Sequence, residues 1–285
     1  MKPLLLISTL YHDPVFERVR QLHQAATWLV TNLCDTQATV DIGGPSPHDR
    51  ILLNNYSFQT GDLYGIVVSG MPCRATPGYS PNDSRYIEHE TVAAWMALLR
   101  TARCRVLNRP HFETAPAIFQ TLHVRAVARA AGIPTIDDHI CSGADLLGMR
   151  MLGDEIACVD LYDQSTFWLS AAHSIDDKRM YSATSLTKTA EQIMLAYVGG
   201  RCYSDLIPVA GHLESKNLTQ SIRAEATSIA KHLANLLELD YAFYAFSLVS
   251  GHLQFCRAYT FWPTTNHNYL INWTATTILT ELSNQ

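Results

Sequence analysis

One helix running into a long aromatic hairpin constrains this chain more than any other feature. Ile222, Ala226, Ile229, Leu233 and Leu236 recur at helical spacing and draw one apolar stripe along a helix. Asn217 with Gln220 three residues later has the pattern of a capping box at its start. After Leu239-Asp240 the period changes. Tyr241 to Val249 is rich in aromatic residues, Ser250-Gly251 forms a tight turn, and a return strand follows. In that strand Leu253, Phe255, Arg257 and Tyr259 alternate with Gln254, Cys256 and Ala258, so strict alternation sets the first four on one face.

The chain ahead of this unit opens as an α/β layer. Leu4 to Ser8 reads as a buried strand, and Asp13-Pro14 starts a helix as N-cap and first-turn proline. Val15, Val19, Leu22, Ala26 and Leu29 fall on one helical face, which carries the predicted helix through Leu29. Val40 to Ile42 is a short strand, and Gly43 to Pro47 is a turn cluster with no helix behind it to bind a phosphate. Ile51 to Phe58 and Leu63 to Val68 read as a strand pair. A helix begins near Asn82, Asp83 or Ser84, and Cys104 to Leu107 is the next strand. A further helix runs from about Pro116 to Ala131 and ends on Gly132 as a left-handed cap. Tyr269 to Leu282 is the last helix, burying Ile271, Ala275, Ile278 and Leu282.

Composition narrows the function classes. The 285 residues suffice for two or three subdomains, and a net charge of −5 without a basic run excludes general nucleic-acid binding. No apolar run is long enough to span a bilayer, so no membrane association is expected. Seven scattered Cys without C-x-x-C spacing point to reduced thiols in a cytoplasmic protein. Twelve His include no H-x-H or H-x-x-x-H pair for a metal. Glu88-His89-Glu90 reads as a solvated helix face, and Cys73 as a structural thiol or, less favourably, a nucleophile on a loop.

Several segments, in order, resemble the ATP-grasp fold of carboxylate–amine ligases, both RimK-like enzymes and those that cyclise graspetides such as microviridins. Leu237 to Phe246 is similar to that family's "Leu-Gly-Leu-Asp-Tyr-Ala-Gly-Ile-Asp-Leu" strand. Asp13-Pro14, Tyr86 to Glu90 and Leu107-Asn108-Arg109-Pro110 resemble stations of its N-terminal domain, though an arginine pair expected there is replaced by Ser69-Gly70-Met71. Gly132-Ile133-Pro134-Thr135 and Gln192 to Tyr203 match two further segments. The resemblance implies a mixed α/β and α+β architecture: a pre-ATP-grasp-like α/β domain over 1–112, a small lid-like subdomain over 113–190 and a C-terminal subdomain over 191–285.

The same resemblance identifies what is missing. The family's phosphate-contacting lysines fall at Gln120 (or its neighbour Phe119) and Asp160, and its γ-phosphate arginine at Met194. The carboxylate and amide ligands for Mg²⁺ fall at Ala245, Arg257 and Tyr259. Hard oxygen ligands and phosphate-facing cations are what acyl-phosphate chemistry requires. The expectation is a degenerate nucleotide and metal site with no cofactor: a pseudo-ligase serving as a peptide- or protein-binding scaffold, a homodimer by resemblance, with a place in peptide natural-product modification. The alternative is an active enzyme. It is either an ATP- and Mg²⁺-dependent carboxylate–amine ligase with relocated ligands, for which Lys178, Arg179 and Lys188 supply cations, or an ATP-independent enzyme reusing the cleft. Arg257 and Tyr259 are candidate cleft-lining residues in either case, and Phe243, Tyr244, Phe261 and Trp262 are candidates for filling the cleft.

Overall fold

Four consecutive apolar residues at the start of the chain have to be covered on both faces, and the fold answers with a parallel sheet. The computed structural model describes residues 2–8, 10–40, 49–53, 56–75, 77–110, 121–136, 139–150, 156–160, 166–168, 175–176, 178–185, 191–207, 219–249, 251–261 and 267–284. Gly43 to Pro47, Phe119, Gln120, Lys188, Asn217 and Trp262 lie outside the described residues.

Strand β1 (Leu4–Ile7), helix α1 (Pro14–Leu22) and strand β2 (Thr27–Val30) form the first unit. The Asp13 carboxylate caps α1, accepting from the Val15 and Phe16 amides at 2.8 and 3.3 Å, with Pro14 in the first turn. The expected run of this helix through Leu29 is wrong. The chain turns extended at His23, and Leu29 pairs with Leu6 in a parallel ladder. Strands β3 (Gln37–Val40), β4 (Asp49–Leu53) and β5 (Tyr56–Gln59) make a separate antiparallel sheet. The expected pairing of residues 51–58 with 63–68 also fails, because β6 (Gly65–Val68) joins β1 in parallel and β4 pairs with β5. Helix α2 (Pro81–Thr101), capped by Ser80 rather than residues 82–84, covers the sheet with Trp95, Leu98 and Leu99. Strand β7 (Val106–Leu107) closes the order β2-β1-β6-β7.

The next elements are α3 (Thr121–Ala130), β8 (His139–Ser142), α4 (Gly143–Arg150), β9 (Ile156–Asp160), β10 (Thr166–Trp168) and β11 (Met180–Ser185). Gly132 has φ +74, as the αL cap of α3 requires. The four strands form an antiparallel sheet ordered β10-β9-β11-β8. A second antiparallel sheet, ordered β13-β12-β14-β15, consists of β12 (Glu191–Val198), β13 (Arg201–Ile207), β14 (Tyr241–Val249) and β15 (His252–Tyr259). Helix α5 (Gln220–Leu236), capped by the Thr219 hydroxyl, lies between β13 and β14 in the chain. Its buried side chains are Ala226, Ala230, Leu233 and Ala234, whereas Leu236 is 43% exposed and Leu237 takes the inward place.

Helix α6 (Asn268–Ser283) ties the two halves together, and its expected inward residues are buried. One core contains Leu4, Leu6, Phe16 and Val19 from the first half, Met194, Tyr241 and Phe243 from the last sheet, and Leu270, Ile278 and Leu282 from α6. The opposite face of that sheet packs Leu195, Tyr244, Phe246 and Phe255 against α5 and α3. At one end of this assembly Glu281 pairs with Arg105 at 3.3 Å and Arg201 at 3.7 Å. The turn between β12 and β13 is two glycines, Gly199 and Gly200, with φ +55 and +83, the signature of a primed hairpin turn. A Cβ at Gly199 would lie 2.4 Å from the Glu281 carboxyl carbon. Gly199→Ala is therefore expected to lose ~2–3 kcal/mol in chemical denaturation, through left-handed strain and disruption of the Glu281 ion pairs.

Candidate functional site

The register of the last sheet sets Met194, Ala245 and Arg257 side by side on β12, β14 and β15. A neighbouring row on the same face holds Ala196, Phe243 and Tyr259. The resemblance puts four ligand positions in the C-terminal subdomain, Met194, Ala245, Arg257 and Tyr259, and all four are brought together on this face.

A β-bulge makes this arrangement possible. Phe246 pairs with Phe255 and Ala245 with Arg257, so Cys256 faces no partner residue on β14. Side chains alternate faces along a strand, and one inserted residue moves everything after it to the other face. Leu253 and Phe255 point into the core against α5, while Arg257 and Tyr259 stand on the face of Met194 and Ala245. The single-face reading of Leu253, Phe255, Arg257 and Tyr259 is corrected accordingly.

The chemistry of this face is apolar and cationic. Met194 is 3% exposed and its thioether is part of the core. Ala245 has no donor atom in its side chain. Among the described residues Arg257 makes no hydrogen bond or ion pair, and its neighbours are the Cys158 and Cys256 thiols. Ser247, two residues along β14 from Ala245 and on the same face, is 1% exposed, and its hydroxyl has no hydrogen-bond partner among the described residues. Gln254 pairs with it on β15. Opposite charges or polar ligands are thus invited at Arg257 and Ser247, which lie a diagonal step of ~7–8 Å apart. A divalent cation is not. Asp205 brings a carboxylate to the row, paired with Met194 on β13, but it stands three strands from Arg257, about 14 Å at ordinary strand spacing. Among the described residues no cluster of three His, Cys, Asp or Glu could hold a metal. The described residues of this face do not fit Mg²⁺.

The rim of this face comes from other elements. Segment 132–136 lies along β15, with the Phe255 amide donating to the Pro134 carbonyl at 2.8 Å and the Ile136 amide to the Phe255 carbonyl at 3.1 Å. Arg129 fastens that segment through Thr135 Oγ1 at 2.8 Å and the Ile136 carbonyl at 3.1 Å. Arg125, 1% exposed on α3, donates from Nε to the Cys256 carbonyl at 2.9 Å, holding the bulge. Sequence reasoning missed Arg125. Its signal was a guanidinium three residues ahead of Ala128 on the inward stripe of an otherwise apolar helix face. From the parallel sheet, the Ser69 carbonyl accepts from the Thr260 hydroxyl at the end of β15. The Ser69-Gly70 replacement for the expected arginine pair is therefore a buried strand end. The end of β15 thus meets the carboxyl end of β6, the edge at which open parallel sheets place their ligands.

The remaining candidates disperse. Asp160 sits on β9, paired with Tyr181 of β11. Lys178 is exposed in the turn before β11, and Arg179 pairs with Asp176 at 3.7 Å. Phe243 and Tyr244 are fully buried on opposite faces of β14, so they belong to the two cores. Tyr259 packs edge-on against Phe261, with centroids 5.7 Å apart. Glu88 is more than a solvated residue: its carboxylate accepts from the Ala75 amide at 3.0 Å and holds the loop after β6. A groove of about 480 Å³ lined by Arg201, Tyr203 and Trp273 lies at the β13 edge, across the sheet from the β15 edge that carries Arg257.

Burial pushes the Cys158 thiol up to about 12, with a smaller push from Cys141 and a smaller pull down from Arg257. Burial likewise takes Cys256 up to about 12, against the pull of Arg125 and Arg257. Both shifts disfavour the thiolate at neutral pH. The raised folded-state value means that stability is fully present below the unfolded thiol range and is lost as pH rises through it. Unfolding free energy is expected to fall by a few kcal/mol between pH ~9 and 12, and denaturant titrations across that range check it.

No protein-family profile matches the chain, and no curated protein is similar to it. Solved structures are similar over the whole length. The macrocyclase MdnB from Microcystis aeruginosa MRC superposes with a TM-score of 0.69 at 13% identity, covering 100% of both chains. The macrocyclase MdnC from the same organism, bound with precursor peptide MdnA, gives 0.67 at 9% identity, over 99% of this chain and 100% of that one. A Chryseobacterium gregarium RiPP-associated ATP-grasp ligase, in complex with ADP and a leader and core peptide, gives 0.64 at 9% identity, over 100% and 97%. These likenesses establish an ATP-grasp fold for this chain.

Proposed function

We propose that this ATP-grasp-fold chain is a pseudo-ligase: a peptide-recognition subunit that holds an acidic peptide in its cleft without nucleotide or metal. The observation that carries the reading is the row Met194–Ala245–Arg257, in which a cation with no ion pair among the described residues stands beside side chains that offer no ligand to Mg²⁺. A divalent ion ~4 Å from Arg257 would be repelled by several kcal/mol even at an effective dielectric of 20. An anionic side chain is attracted by the same charge, and the Ser247 hydroxyl, unpartnered among the described residues, supplies a donor ~7–8 Å further along the same face. Peptide partners follow from the company the fold keeps, since two of the similar structures hold peptides. On this reading residues 1–112 form a rigid platform, 113–190 a cover and 191–285 the binding floor.

The test is a titration of a synthetic peptide bearing adjacent Asp and Glu into the full chain, with EDTA and no nucleotide. Binding that is unchanged when ATP and Mg²⁺ are added supports the proposal. Binding that appears only with ATP and Mg²⁺ overturns it. The second reading, an ATP-dependent carboxylate–amine ligase, draws on the fold shared with an ADP-bound ligase and on the exposed Lys178. It predicts that nucleotide-dependent outcome.

A further inference from the structure

Two cysteines that are distant in sequence meet beside the cleft. The Sγ atoms of Cys34 and Cys73 lie 3.2 Å apart, 39 positions apart in the chain, and both residues are half-buried. Cys34 belongs to the 3-10 turn Leu33–Asp35 after β2, and Cys73 to the loop after β6. The two backbones are strapped together on either side of the sulfurs. The Leu33 amide donates to the Pro72 carbonyl at 2.7 Å. The Asn32 side chain accepts from the Arg74 amide at 2.9 Å and donates to the Arg74 carbonyl at 3.1 Å. A disulfide needs sulfurs ~2.05 Å apart and opposed Cβ atoms, and here only about an ångström of side-chain rotation separates the thiols from it.

We propose that Cys34 and Cys73 are a redox modification site that closes to an intramolecular disulfide, with a glutathione-type disulfide as the oxidant. Cys34 attacks one sulfur of oxidised glutathione and expels one glutathione thiol, leaving a mixed disulfide on Cys34. Cys73 then attacks the Cys34 sulfur and expels the second glutathione. The protein loses two electrons and two protons, and one glutathione disulfide becomes two thiols. The order follows from the surroundings. Burial, the Cys34 hydrogen bond and the charges of Cys34 and Glu88 push the Cys73 thiol up to about 12, so Cys73 is the poorer first nucleophile. Cys73, whose sulfur lies 3.2 Å from that of Cys34, is placed to resolve the intermediate. The bond would pin the loop that leaves Ser69, whose carbonyl holds Thr260 at the cleft rim. This site is independent of what the cleft binds.

The experiment uses the reduced full chain incubated with oxidised glutathione, quenched, alkylated, digested and mapped by mass spectrometry without reduction. The expected result is a Cys34–Cys73 cross-linked peptide pair, lighter by two hydrogens, together with a melting midpoint raised by ~5 °C that dithiothreitol reverses. Recovery of both peptides alkylated or separately glutathionylated in the wild-type chain overturns the proposal. A midpoint rise that persists in Cys34→Ser overturns it too.

Discussion

Replacing Asn108 by Ala is expected to destabilise the chain by ~5 kcal/mol, the largest effect of any single polar residue described here. Asn108 follows β7, is 1% exposed, and has φ +57, a backbone conformation that Asn tolerates and Ala does not. Its side-chain amide donates to the carbonyls of Val68 at 3.1 Å and Tyr241 at 2.7 Å. Its side-chain oxygen accepts from the amides of Asp240 at 3.0 Å and Tyr241 at 2.8 Å. One residue thus joins the parallel sheet to the start of β14, and its own amide donates to Asp240 Oδ2 at 3.0 Å. Truncation leaves four backbone groups without partners, each costing ~1–3 kcal/mol where water cannot reach, and adds left-handed strain of about 1 kcal/mol. Equilibrium denaturation measures this loss. A change below ~1 kcal/mol would contradict the linking role.

Reversing the charge at Arg257 tests the floor of the cleft. Arg257→Gln is expected to weaken binding of an acidic peptide by ~30-fold, and Arg257→Glu by more than that. A unit charge pair at 4 Å is worth roughly 4 kcal/mol at an effective dielectric of 20, and partial exposure discounts that by about half. Two kcal/mol corresponds to about 30-fold in affinity. The fold is expected to tolerate both changes, since the guanidinium makes no hydrogen bond or ion pair among the described residues, so circular dichroism and melting should match wild type. Unchanged affinity in a folded Arg257→Glu chain would remove Arg257 from the site.

Much of the architecture was legible because apolar periodicity and turn chemistry agree locally. Asp13-Pro14 and Gly132 each state their backbone conformation outright. So do the buried faces of β14 and α6. What failed was non-local. Ala26 and Leu29 fall in helical phase by coincidence, and only pairing with β1 makes 27–30 a strand. Residues 65–68 follow a hairpin in sequence, yet they pair with a strand about sixty residues earlier, which local alternation cannot foresee. The site shows the same limit more sharply. The bulge at Cys256 carries no glycine or proline to announce it, so alternation grouped Arg257 with Leu253 and Phe255 on one face. Arg125 was invisible because its value comes from the Cys256 carbonyl on another element. The absence of ligand chemistry at Met194 and Ala245 was legible, since it depends only on which side chains those positions carry. The unpartnered Ser247 hydroxyl was not, because burial is decided by the whole sheet.

The most direct measurement is calorimetric titration of ATP into the pure full-length chain, with and without Mg²⁺. No binding heat is expected at millimolar ATP under either condition if, as proposed, Met194, Ala245 and Arg257 stand where phosphate and metal ligands would be needed. Binding that strengthens when Mg²⁺ is added would contradict it, and would mean that this cleft retains a working nucleotide site.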